Sequence, residues 1–157
     1  VVSGSYLVNH NSIGTALLHL KSSLIHSDYM LKDFMIDSVN SPLVKSNELS
    51  VENIIKSIED NGLGFTVILN EDDCIFGLSS NADVRRALLK NINNFNGMKP
   101  EDMINVNPIT INENSSTSDL LNLVHENKFL ISFLPVVNND GKFSGVVTFI
   151  NLIRSES

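Results

Sequence analysis

Asn70-Glu71-Asp72-Asp73-Cys74-Ile75-Phe76-Gly77-Leu78 and Asn138-Asn139-Asp140-Gly141-Lys142-Phe143-Ser144-Gly145-Val146 are one passage written twice, 68 residues apart. At that spacing Asn70 matches Asn138, Asp72 matches Asp140 and Gly77 matches Gly145, while further out Met35 matches Met103. A polar turn followed by an apolar run is hairpin chemistry. Repeated in register, it points to a duplicated unit, the first feature to look for in any chain.

Reading outward, each turn is preceded by a short β-rich run, Gly64-Phe65-Thr66-Val67-Ile68-Leu69 or Phe133-Leu134-Pro135-Val136-Val137. Before each run comes an amphipathic helix. Val51, Ile54, Ile55 and Ile58 share one face in the first copy, and Leu120, Leu121, Leu123 and Val124 in the second. Ser50 is placed to cap the first helix, and Ser116 with Asp119 approximates a capping box on the second. These helices match at a spacing of 66, so the second copy carries two extra residues after its helix, near positions 129–132. Earlier still lie Pro-led extended pieces at Pro42 and Pro108, and short leading segments at residues 32–35 and 101–104. Beyond the return strands, helices are expected over residues 82–90 and 150–154. Each unit is therefore β-α-β-β-α, and at roughly 60 residues it is marginal alone, so the copies should pack together. The expected fold is α+β, with the alternation of an α/β chain: two tandem repeats, residues 31–96 and 97–157, forming a pseudo-two-fold pair. Residues 1–30 read as a linker helix, its apolar stripe running through Ile13, Ala16, Leu17, Leu20 and Leu24.

Composition narrows the function. Eighteen acidic residues against eleven basic ones give a net charge of −7, and no basic face is visible to neutralise the phosphates of a nucleic acid. Arg85-Arg86, with Lys90 a turn later, suits one small anion and no more. The single cysteine, Cys74, excludes an intrachain disulfide framework and reads as a small buried residue; cytoplasmic residence is the simplest expectation. No apolar run is long enough to span a membrane, and the first residues lack the features of a signal peptide. With no initiator Met, the sequence reads as part of a longer protein.

Chemistry is expected where each return strand turns into a helix, at Gly77-Leu78-Ser79-Ser80-Asn81-Ala82-Asp83-Val84-Arg85-Arg86 and at residues 145–154. Unpaired N–H groups at a helix start favour an anion. A hydroxyl at Ser80 or Thr148 can donate to a phosphate oxygen, Asp83 can accept from ribose hydroxyls, and Arg86 can pair with phosphate. A plainer reading stands beside it: Ser80 or Asn81 caps the helix and Asp83 complements its dipole. His125 reads as a surface residue near a helix end, and Glu71-Asp72-Asp73 as a solvated turn. No Ser/His/Asp set, paired carboxylates or phosphate loop appears at a catalytic spacing.

The twice-occurring pattern of glycine, Ser or Thr, Asp and Arg resembles tandem CBS domains, the Bateman module, over about residues 31–157. The resemblance implies a regulatory, non-catalytic module that needs no cofactor and senses AMP or ATP between its repeats, and that pairs into a homodimer. It assigns Ser80 and Asp83 to the first ligand corner, with Thr148 and Asn151 at the second, where Asn replaces the usual Asp. Asn61-Gly62-Leu63-Gly64-Phe65-Thr66-Val67, Asp83-Val84-Arg85-Arg86-Ala87-Leu88 and Asn107-Pro108-Ile109-Thr110 further resemble the CBS pair of KpsF/GutQ-type D-arabinose 5-phosphate isomerases. That likeness implies a sugar-phosphate isomerase domain ahead of this chain and a CMP-sugar as an additional candidate ligand. Loss of the ligand, leaving a dimerisation platform, is the alternative.

Overall fold

A computed structural model describes residues 29–127 and 132–148. The stripe from Ile13 to Leu24, the helix expected at residues 150–154 and the candidate Asn151 lie outside the described residues. Within them the chain forms three α-helices and two sheets: β1 Ile36–Asp37, β2 Leu43–Lys45, α1 Val51–Asn61, β3 Phe65–Leu69, β4 Ile75–Ser80, α2 Asn81–Lys90, β5 Ile111–Asn112, α3 Thr117–Glu126, β6 Phe133–Val137 and β7 Phe143–Thr148.

Local signals set the helix ends. Ser50 accepts a hydrogen bond from Asn53 N at 3.0 Å, and Gly62, with φ 63°, closes α1 in the left-handed conformation. At α3, Asp119 Oδ2 accepts from both the backbone N and the hydroxyl of Ser116, each at 2.8 Å, so the shorter acid still completes a capping box. The apolar face of α1 is narrower than its spacing suggests. Ile54 and Ile58 are buried, whereas Ile55 is 41 % exposed. At 100° per residue, Ile55 is carried from the seam to its rim. Measured from the first helical residue to the first strand residue, α3 to β6 is two residues longer than α1 to β3, as the change in repeat spacing requires.

The sheets have the order β2-β3-β4 and β5-β6-β7-β1. In each, a parallel pair bridged by a helix is followed by an antiparallel hairpin. Both hairpin turns are built alike. Asn70 Oδ1 accepts from Asp72 N and Cys74 N, and Asn138 Oδ1 from Asp140 N and Lys142 N, all at 2.9–3.0 Å. The matched asparagines are thus turn formers. Cys74 is only half-buried, a correction to its sequence reading: it pairs across the seam with Lys142 at a turn, where solvent reaches it.

The halves are held by exchange as well as by packing. β1, from the first copy, pairs with β7 of the second through Ile36–Val146 and Asp37–Gly145. Reciprocally, Asn105 pairs with Leu78 of β4 through hydrogen bonds of 2.8 and 3.0 Å. Leu31 is fully buried among Ile111, Leu120, Leu134, Val136 and Val147, while Met103 is fully buried with Ile54, Ile58 and Ala87. Each leading segment therefore completes the core of the other copy.

This crossing explains the matched glycines. A Cβ on Gly145 would stand 2.2 Å from Ile36 O, and one on Gly77 2.4 Å from Ile104 Cγ2 and 3.0 Å from Asn105 O. Between the sheets, Phe65, Val67, Leu69 and Leu78 pack with Phe143 and Val146. There Phe65 and Phe133, equivalent positions in the two copies, stack at 3.9 Å and 15°. On the helix side of the first sheet, Thr66 Oγ1 lies 2.7 Å from Ser57 Oγ, beside the fully buried Ser79. The matching second-copy residues are Leu123, Leu134 and Val147, all apolar.

Candidate functional site

Two strand ends flank the stacked rings. Ser80 pairs with Phe65 at the end of β4, and Thr148 pairs with Phe133 at the end of β7. Residues opposite each other on a ladder share a face. Both hydroxyl-bearing residues therefore belong to the faces that meet between the repeats. Thr148 is buried, and Ser80 half-buried.

At the first corner the chain leaves β4 extended and enters α2 directly. Ser80 N donates to Asp83 Oδ2 at 2.9 Å, Ser80 Oγ to the same oxygen at 2.6 Å, and Asp83 N to Ser80 Oγ at 3.3 Å. Arg86 Nη2 donates to the other carboxylate oxygen, Oδ1, at 2.5 Å. Asn81 N donates to Gly64 O at 2.9 Å, tying the corner to the start of β3. Gly64 itself sits at φ 81°, a conformation that favours glycine.

The structure thus brings Ser80, Asp83 and Arg86 together, as the sequence suggests, and uses all three for the helix start. The plainer reading is realised: Ser80 is the N-cap and Asp83 completes the box. Ser116 and Asp119 make the same box elsewhere, where those donors hold the Asp119 carboxyl below the usual carboxylate range. A capping box alone therefore identifies no ligand. What sets the first corner apart is its place on the inter-repeat face and the guanidinium beside it. The Arg86 side chain is 71 % exposed while that of Asp83 is only 16 % exposed. The guanidinium end of this pair therefore stands at the surface, where a second, anionic partner can reach it.

Gly64, Asn81, Phe65 and Phe133 were not singled out as site residues by sequence reasoning. The one available signal was that Phe65 and Phe133 share the 68-residue spacing. His125 is exposed in the last turn of α3, as expected. At the first turn Asp73 pairs with Lys45. Among the described residues no group of His, Cys, Asp and Glu could hold a metal ion, and no helix is long and apolar enough to cross a membrane.

Comparison with known proteins adds the family context. Residues 101–157 match the family model described as CBS domain. The chain is 25 % identical, over 92 % of its length and 71 % of the relative's, to the chloroplastic CBS domain-containing protein CBSX1 of Arabidopsis thaliana. Its fold is similar to that of CBSX2 in complex with AMP, with TM-score 0.67 and 26 % identity over 82 % of this chain and 96 % of that one. It is also similar in fold to the CBS domain pair of protein MJ0100 in complex with 5-methylthioadenosine and S-adenosyl-L-methionine, with TM-score 0.66 and 20 % identity over 82 % of this chain and 100 % of that one.

Proposed function

From the premise that the chain has the fold of a tandem CBS pair, we propose that it is a regulatory module that binds an adenine nucleotide between its repeats and itself catalyses nothing. The observation that supports this most directly is the Ser80–Asp83–Arg86 corner on the inter-repeat face. CBSX2, which shares this fold at 26 % identity, is seen with AMP. In this reading Ser80 and Arg86 hold the phosphate and Asp83 the ribose, with Thr148 and Asn151 forming a second, less charged corner. Residues 31–96 and 97–157 are the covalent units, the leading segments being swapped between them.

Electrostatics favour AMP over ATP. The protein carries a net charge of −7, and the nearby cations are the exposed Arg85 and Arg86. A single phosphate bears a charge of about −1.5 to −2. A triphosphate brings more charge than this corner can neutralise. A CMP-sugar would place one phosphodiester at the same corner, and attachment to a sugar-phosphate isomerase rests on the local motifs at residues 61–67, 83–88 and 107–110. We further expect a homodimer and a cytoplasmic setting.

Calorimetry and thermal melting with AMP, ATP and a CMP-sugar test the proposal. AMP at 100 times its Kd should stabilise the chain by about 2.7 kcal/mol. Asp83→Ala should abolish that gain while the variant remains folded. Absence of any effect from all three compounds would leave the alternative, a ligand-free dimerisation platform.

A further inference from the structure

The exchanged leading segments are the same device used twice, with one difference in connectivity. Residues 98–105 lie between α2 and β5, so both ends are tethered within the pair. Residues 30–37 open the described part of the chain and are joined covalently to residues 1–28. We propose that residues 30–37 form a releasable latch that couples the chain ahead of residue 29 to the second repeat's return strand, and so to the Thr148 corner rather than the Ser80 corner.

Ser41 Oγ, just beyond the latch, donates to Ile36 O and Asp37 O, while the backbone–backbone bonds that the latch makes beyond itself go to the second copy. Leu31 N donates to Ser115 O at 3.1 Å and Lys32 N to Glu113 O at 3.2 Å. Met30 bridges Ser116, and Ile36 and Asp37 pair with Val146 and Gly145 on β7. Its apolar anchor is Leu31, fully buried, with Phe34 and Met35 packed around the same cluster. Tyr29, Met30, Lys32, Asp33 and Asp37 are exposed.

Leu31 is the one fully buried side chain of a segment whose ordering costs entropy at every residue, and its ladder with β7 is only two residues long. That places it among the parts of the molecule that open before the whole unfolds. The opening is tied to β7 because a Cβ on Gly145 would stand 2.2 Å from Ile36 O, so adding one there must move Ile36 or the strand. Thr148 stands three residues farther along that strand. The Ser80 corner lies on β4, which bears the other crossing, at Gly77.

Hydrogen exchange and limited tryptic cleavage of the full 157-residue chain test the latch without any ligand, using Gly145→Ala, Gly77→Ala and Leu31→Ala. In Gly145→Ala, the amides of residues 31–37 should exchange at least about tenfold faster and cleavage after Lys32 should appear, while α1 and β3 keep their protection. Leu31→Ala, which leaves β7 untouched, should give the same local release. Gly77→Ala should loosen residues 99–105 and leave 31–37 protected. Equal release of 31–37 by both glycine variants would overturn the proposal. So would a loss of protection spread evenly over the chain in both Gly145→Ala and Leu31→Ala.

Discussion

Ser80 combines two roles that pull in different directions. Its hydroxyl donates to Asp83 and accepts from the α2 backbone, so it already starts a helix before any ligand arrives. Ser80→Ala should cost about 1 kcal/mol, the usual loss of an N-cap, whereas Ser80→Asn should cost almost nothing. Urea melts of the two variants distinguish a cap from an ordinary surface contact, and equal losses would argue against capping. Asp102 illustrates a different balance. The side-chain hydrogen bond from Lys90, followed by that from Lys99 N, holds its carboxyl below the usual carboxylate range. A depressed carboxylate contributes stability that is present above the unfolded value, about 3.9, and is lost as pH falls through the lower folded value. Asp102→Asn should therefore lower the urea midpoint at pH 7, with the gap to the parent closing in acid. A gap that persists unchanged to pH 2 would assign the effect to shape, not charge.

At the scale of elements, burial separates residues that share a sequence pattern. Leu120 is 1 % exposed in the second core, so Leu120→Ala should cost about 2–5 kcal/mol. Ile55 belongs to the same kind of stripe on α1 but lies at its exposed rim, and Ile55→Ala should stay within about 0.5 kcal/mol. Equal midpoints for the two variants in denaturant would contradict this assignment. The contrast shows what was legible beforehand. Periodicity, caps and turn asparagines depend on neighbours in sequence, so β2, β3, β4, β6, β7 and the three described helices could be read from the chain with small shifts at their ends, whereas β5 shares only Ile111 with the extended piece expected from Pro108. The bounds of β6 and β7 coincide with the expected runs. The exchange of leading segments could not be read in this way, because nothing local to residues 31–37 says which sheet they join. Even so, its trace was in view. Gly77 and Gly145 marked the repeat, and in the fold each makes room for a backbone from the other copy. At the candidate site the residue types were legible, but the engagement of Asp83 by Ser80 and Arg86 at once depends on side-chain geometry that spacing does not encode.

At the scale of the whole molecule, the two copies form one object because their sheets share an apolar seam, with Phe65 and Phe133 stacked within it. A double-mutant cycle over Phe65→Ala and Phe133→Ala should return a coupling of about 0.5–1.5 kcal/mol, as expected of an aromatic pair in contact. Strict additivity would mean that the rings are neighbours without interacting. The pairing also has a historical dimension. If the two halves descend from a single ancestral unit that assembled as a symmetric pair, the residue now numbered 65 and 133 lay beside the axis and touched its own twin. Any replacement there struck twice at one point: a charge met an identical charge, and a smaller side chain opened a double void. On that descent, duplication and fusion lift the constraint and leave each ring free to change alone; both positions hold phenylalanine.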